Sequence, residues 1–216
     1  MIDAIFFDLW NTLIYCPTRD RVMDIVRLTG FDLDYDGFIS GLKEKTFTDS
    51  RVTVRDFMRD ECLRRGRNVD ESLLDDVGVL WESRLEDTRV FPETEDVLGD
   101  LERDYKLALI SNLDVSGAEY FKENYECIIR HFDAVLLSCD IGLSKPDARI
   151  FLKALGEVGA SADSAWMVGD SEKTDVRGAL DAGMSGILVD RYEKVFNEEF
   201  PVVRSLSEVR SVIEGE

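Results

Sequence analysis

Histidine is nearly missing: His131 is the single one among 216 residues. One imidazole cannot build a His-rich zinc site or supply a pair of catalytic imidazoles, so any metal here should be a hard ion held by carboxylates. Cysteine is sparse too. Cys16, Cys62, Cys127 and Cys139 lie far apart without a CxxC pair, in apolar or mixed surroundings that suit small buried side chains, which predicts a reducing compartment. No run of about 18 apolar residues occurs, and the opening Met-Ile-Asp-Ala has neither a basic start nor a cleavable apolar segment. The expectation is a cytoplasmic chain with no membrane partner. Basic residues are few, 26 against 45 acidic ones, for a formal net charge of -19. The resulting negative field repels nucleic acid and anionic lipid, which argues against both as partners. It repels anionic metabolites as well, so a phosphorylated substrate needs a cation and a few Lys or Arg side chains to reverse the potential locally.

Apolar residues make up 44% of the chain and aromatic ones 10%, enough to bury the core of one domain carrying a subdomain. Five short runs rich in Val, Ile, Leu, Phe and Ala read as buried parallel strands, at residues 4–7, 107–110, 134–137, 165–168 and 186–189. Helical patterns at residues 95–104 (after Pro92), 148–158 and 176–182 (ending at Gly183) separate most of them. This alternation predicts an α/β fold, a Rossmann-like parallel sheet with helices on both faces, whose ligand lies beyond the C-terminal strand ends. Between them, residues 14–89 break the pattern with amphipathic stretches at 21–28, 38–47, 54–65 and 73–85. They predict a helical subdomain inserted after the first strand and hanging over that edge as a lid, so that residues 1–13 and 90–216 form the core and 14–89 the cap.

Polar clusters follow the predicted strands. Phe-Phe-Asp8-Leu-Trp10-Asn-Thr12-Leu comes after the first, Ser111-Asn112 after the second, Ser-Lys145-Pro146-Asp after the third, and Val-Gly169-Asp170-Ser171 with Asp175 after the fourth. Taken singly, an Asp at a strand end is more often a turn or N-cap residue, and Lys-Pro is usually a loop. In this order, and with Arg89-Val-Phe-Pro92 and Lys-Pro-Asp-Ala-Arg-Ile-Phe151 around them, the clusters resemble the four signature motifs of the haloacid dehalogenase superfamily, from Ile2 to about residue 189. The helical insertion resembles that superfamily's first-position cap.

The resemblance implies a hydrolase in which Asp8 is a covalent nucleophile acting on a small phosphorylated molecule. A carboxylate attacking phosphorus must have both anions neutralised. By resemblance, Mg2+ held by Asp8, the main-chain carbonyl of Trp10 and Asp170 does so. Lys145 would sit beside the nucleophile, Ser111 would bind the transferring oxygens, and Asp175 would orient the metal's waters or Lys145. Thr12 is expected to hydrogen-bond within the first loop and shape it beside the substrate. Asn112 either binds the substrate or caps its turn. The chain departs from the phosphatase pattern at Trp10, where such enzymes carry an aspartate as general acid and base. Indole cannot give up and recover a proton at neutral pH, which predicts slow turnover or a preference for acyl and aryl phosphates, whose leaving groups need no proton. Two alternatives follow from the same residue: a 2-haloacid dehalogenase, which by resemblance has an aromatic Tyr there but neither a metal nor the aspartate at position 170, and a phosphate-ligand-binding protein with little turnover. The oligomeric state, monomer or homodimer, stays open.

Two further patterns are decoys. Asp32-Leu-Asp34-Tyr-Asp36-Gly37 opens like a calcium-binding EF-hand loop, but Lys43 stands where the bidentate Glu belongs, so a loop and helix N-cap is expected. His131 is remote from every cluster and reads as structural. Arg19, Arg51 and Arg55 in the insertion either reach an anionic substrate or are solvated.

Overall fold

The computed structural model describes residues 2–17, 20–31, 35–192 and 199–215. Six parallel strands form one sheet in the order β5-β4-β1-β6-β7-β8. They are β1 (Ala4–Phe7), β4 (Lys106–Ser111), β5 (Ala134–Leu137), β6 (Ala165–Gly169), β7 (Ser185–Val189) and β8 (Val202–Val203). The five strands expected from the apolar runs are all present. The two-residue β8 is too short to leave a pattern of its own.

Strand pleating sorts the core into two layers. Ile5 and Phe7 of β1 face one side, where α5 (Thr94–Leu101), α6 (Val115–Asn124) and α11 (Val209–Glu214) supply Leu98, Phe121 and Ile213. Ala4 and Phe6 face the other side and pack with Ile150, Phe151 and Leu155 of α9 (Ala148–Val158). Helices therefore cover both faces of an α/β sheet, as the alternation predicted.

Two short strands missing from the sequence reading, β2 (Ile14–Tyr15) and β3 (Arg89–Val90), pair antiparallel beside the main sheet. Between them run α1 (Asp20–Thr29), α2 (Tyr35–Thr46), α3 (Val54–Arg64) and α4 (Glu71–Glu86), which bury Ile25, Phe38, Leu42, Phe57 and Trp81 in an apolar cluster of their own. A full capping box fixes the start of α3, with Thr53 and Asp56 bonding each other's backbone N–H. No described helix is long and apolar enough to cross a membrane.

The helix expected at 176–182 differs in form. A π-helical turn over Glu172–Val176 precedes α10 (Arg177–Asp181), and Gly183 takes the left-handed φ of 84° just beyond it. The N–H groups of Asp175 and Val176 both reach the Ser171 carbonyl, at 3.0 and 3.3 Å, so one extra residue is wound into the first turn. Asp32 and Asp34 lie outside the described residues, as does Arg19.

Candidate active site

Asp8 and Asp170 are the first residues beyond β1 and β6, and Ser111 is the last of β4. Adjacent parallel strands ending at one level bring the three to a common edge. The loop after α8 (Ser138–Ile141) adds Lys145, whose peptide to Pro146 is cis. The ammonium Nζ lies 2.6 Å from Asp8 Oδ1 and 2.6 Å from Asp175 Oδ1, with all three groups buried. One carboxylate oxygen each from Asp8, Asp170 and Asp175 lie within 4.8 Å of one another.

Local backbone chemistry explains how each group is aimed. The π-helical turn swings the Asp175 carboxylate back over the strand end, where its Oδ2 accepts from the Ser171 N–H at 3.0 Å. Gly169 is required there, because a β-carbon at that position would overlap the Asp175 carboxylate. Asn112, which also lines the cavity, holds the lysine loop. Its Oδ1 accepts from the Lys145 N–H and its Nδ2 donates to the Lys145 carbonyl, each at 2.8 Å, so the amide grips the lysine's own peptide.

Asn11, which the sequence reading passed over, has a φ of 57° and donates from Nδ2 to Asp170 Oδ2 at 2.9 Å. The signal available was its residue type, since Asn tolerates the left-handed conformation better than most side chains. Thr12 departs from expectation. It is fully buried, is not among the residues lining the cavity, and its hydroxyl finds no partner among the described residues; the loop is tied instead through the Thr12 carbonyl, which accepts from Arg191 at 2.9 Å. Ser111 is equally buried, yet its hydroxyl, without a partner among the described residues, borders the cavity.

Four acidic and basic groups packed together cannot all keep their ordinary proton affinities. Burial pushes the Asp8 carboxyl up to about 7 against the pull of Lys145, and the charges of Asp175 and Asp170 add to the rise. Asp170 is pushed up to about 6, again by burial first and by Asp175 second, with the Asn11 hydrogen bond opposing. For Lys145 burial disfavours the charge, but Asp175 and Asp8 outweigh it and hold the ammonium above the usual lysine range. Three carboxylates thus face a single ammonium. Their all-oxygen, closely spaced donor set suits a hard divalent ion such as Mg2+.

A cavity of about 680 Å³ opens over these groups. Its far wall comes from α2 and α4, and it includes Trp10, Trp81, Arg84 and Lys43. Trp81 donates from Nε1 to Asp114 Oδ2 at 2.7 Å, while Arg84 stacks 3.5 Å from the Trp81 ring centroid and reaches Asp114 Oδ1 at 3.4 Å. Asp114 caps α6, so one buried carboxylate ties α4 to the sheet edge. Arg51 and Arg55 do not line the cavity: Arg51 pairs with Asp49, and Arg55 with Glu71 and Asp75. His131 sits apart, its Nδ1 2.8 Å from Glu102, consistent with a structural part. No cysteine forms a disulfide among the described residues, and Cys16 borders the cavity.

Known proteins resemble this chain in sequence and in fold. The chain is 39% identical over 103 residues to a phosphoserine phosphatase of Thermus thermophilus, a match covering 47% of this chain and 41% of that one. The chain thus spans about two fifths of that relative's length. A 2-haloacid dehalogenase of Pseudomonas syringae pv. Tomato superposes with a TM-score of 0.69 at 23% identity, covering 100% of this chain and 99% of the other. A family enzyme of Bacteroides thetaiotaomicron, solved as an Asp-to-Ala mutant with magnesium and inorganic phosphate, superposes at 0.67 with 20% identity over 90% and 97% of the two chains. At such identities the two structures speak for the fold alone. The family model for haloacid dehalogenase-like hydrolases matches residues 2–183, nearly the whole span over which the strand ends and their acidic clusters recur. On that match the chain belongs to the haloacid dehalogenase-like hydrolase family.

Proposed function

We propose that this hydrolase is a Mg2+-dependent phosphatase that moves the phosphoryl group of a small phosphorylated metabolite onto Asp8 and then to water. The observation that carries this reading is the Lys145 ammonium, 2.6 Å from both Asp8 and Asp175, with Asp170 in the same cluster of carboxylates. Asp8, Asp170 and the Trp10 carbonyl would hold the ion, which when bound supplies the positive charge that lets a carboxylate approach a phosphoryl dianion.

The residues themselves divide the work. An Asp8 carboxylate oxygen forms a bond to phosphorus as the bond from phosphorus to the leaving-group oxygen breaks, and that oxygen keeps the electron pair. Lys145 opposes the burial that favours the protonated Asp8 and aims its carboxylate, and the Ser111 hydroxyl, without a partner among the described residues, donates to an oxygen of the transferring group. Water then adds to phosphorus, releasing phosphate, a proton and the Asp8 carboxylate. Asp175 and Asn112 position Lys145 from behind. Helices α1 to α4, with residues 14–89 as a cap, serve as a lid that excludes bulk water. Because the Trp10 indole has no proton to lend, the leaving group must depart as a weak base. Phenols and carboxylic acids meet that need, which points to aryl or acyl phosphates.

Dehalogenation is the second reading, favoured by the aromatic side chain at Trp10. The Asp170 carboxylate, gathered with Asp8 and Asp175, has no part in displacing halide from carbon, and that weighs against it. The two readings separate in one assay set. Aryl, acyl and sugar phosphates are offered with Mg2+ to the wild-type chain and to Asp8→Asn, and 2-haloacids are offered without metal. Phosphate release abolished by the substitution supports the phosphatase. Halide release in chelator, or phosphate release indifferent to Asp8→Asn, rejects it.

A further inference from the structure

Above the carboxylates the cavity has an apolar side made by Trp10, Val22, Ile39 and Phe47, together with two cations, Arg84 and Lys43. The guanidinium of Arg84 is already engaged by the Trp81 ring and by Asp114. Lys43 differs: on α2, it makes no hydrogen bond or ion pair with any described residue. Two residues further along the same helix, Lys45 bonds Asp60 Oδ2 at 2.7 Å.

The transferring phosphoryl group is met from the opposite wall, by Lys145 and Ser111. A cation on the helical insertion therefore faces the other end of the substrate. We propose that Lys43 selects phosphate esters whose leaving group has a flat apolar body, resting against Trp10 and Phe47, and carries a carboxylate that the ammonium binds. The inference builds on the phosphatase reading and narrows its substrate class to phosphorylated aromatic acids. Such substrates agree with Trp10, since a phenolic oxygen leaves without a proton donor.

The test compares phenyl phosphate with 3- and 4-carboxyphenyl phosphate, in wild type, Lys43→Ala, Lys43→Arg and the control Lys45→Ala. A single partly solvated ion pair predicts a preference of about fivefold in kcat/KM for a carboxylated ester. Lys43→Ala should erase the preference through KM, Lys43→Arg should keep it, Lys45→Ala should keep it, and added salt should shrink it. A wild-type chain indifferent to the carboxylate, or a Lys43→Ala that lowers kcat/KM equally for all three esters, overturns the proposal. Binding is read separately by quenching of tryptophan fluorescence with phenylphosphonate and 4-carboxyphenylphosphonate, which cannot be turned over. If no ester is hydrolysed, the phosphatase reading falls, and the titration alone decides on Lys43. Tighter binding of the carboxylated phosphonate that is lost in Lys43→Ala sustains its role; equal binding of the two ends it.

Discussion

Trp10 and Gly169 show how much of the chemistry hangs on single side chains. Placing a carboxyl at position 10 would restore a proton donor beside the leaving group, so Trp10→Asp should raise kcat on alkyl and sugar phosphates by about a hundred- to ten-thousand-fold while changing little on acyl phosphates. Steady-state rates on the two substrate types check it, and equal effects on both would argue against a missing acid. Gly169 has a different duty. A methyl group there would displace the Asp175 carboxylate, and with it the 2.6 Å contact to Lys145. Gly169→Ala should therefore cost as much activity as Asp175→Asn, with the Lys145 amine left under weaker control. The sequence marked Asp8, Lys145, Asp170 and Asp175 because their types and order are unusual together. It was silent on Asn11, whose left-handed φ and bond to Asp170 depend on how a short loop closes in three dimensions.

Among the elements, the strands were legible because a sheet covered on both faces needs unbroken apolar runs, and those runs survive in the sequence as they stand. The helices of the insertion were legible from their amphipathic period. The π-helical turn at Glu172–Val176 was not, since an extra residue in one turn has no compositional mark; it exists to aim Asp175. The β2–β3 pair was equally hidden, being two residues on each side. Helix α4 offers a test of how the insertion is held. Trp81→Phe keeps an aromatic ring but removes the 2.7 Å bond to the buried Asp114 carboxylate, which Ser116 still partners at 2.8 Å. Urea denaturation should register a loss of about 1–3 kcal/mol. No change in stability would mean that Asp114 does not tie α4 to the sheet edge.

For the molecule as a whole, the crowding of acids at the sheet edge ties folding to pH and to metal. Asp8 has a folded-state value near 7 against an ordinary carboxyl near 4, so it takes up its proton more readily when folded. Its contribution to stability is complete below about pH 4 and is lost as the pH rises through 7. In chelator, the melting temperature should fall between pH 5 and pH 8, and Asp8→Asn should flatten that fall. Adding Mg2+ should raise the melting temperature more at pH 8 than at pH 5, because protons and the ion compete for the same oxygens. Scanning calorimetry at the two pH values, with and without the ion, measures both.

Phosphoryl transfer to Asp8 itself can be observed by mass spectrometry of protein mixed with Mg2+ and an aryl or acyl phosphate and quenched in acid within one turnover. A phosphoryl adduct on the peptide holding Asp8, missing from Asp8→Asn and from the chelated protein, is the predicted result. Phosphate release that proceeds at full rate with no adduct on that peptide would contradict it.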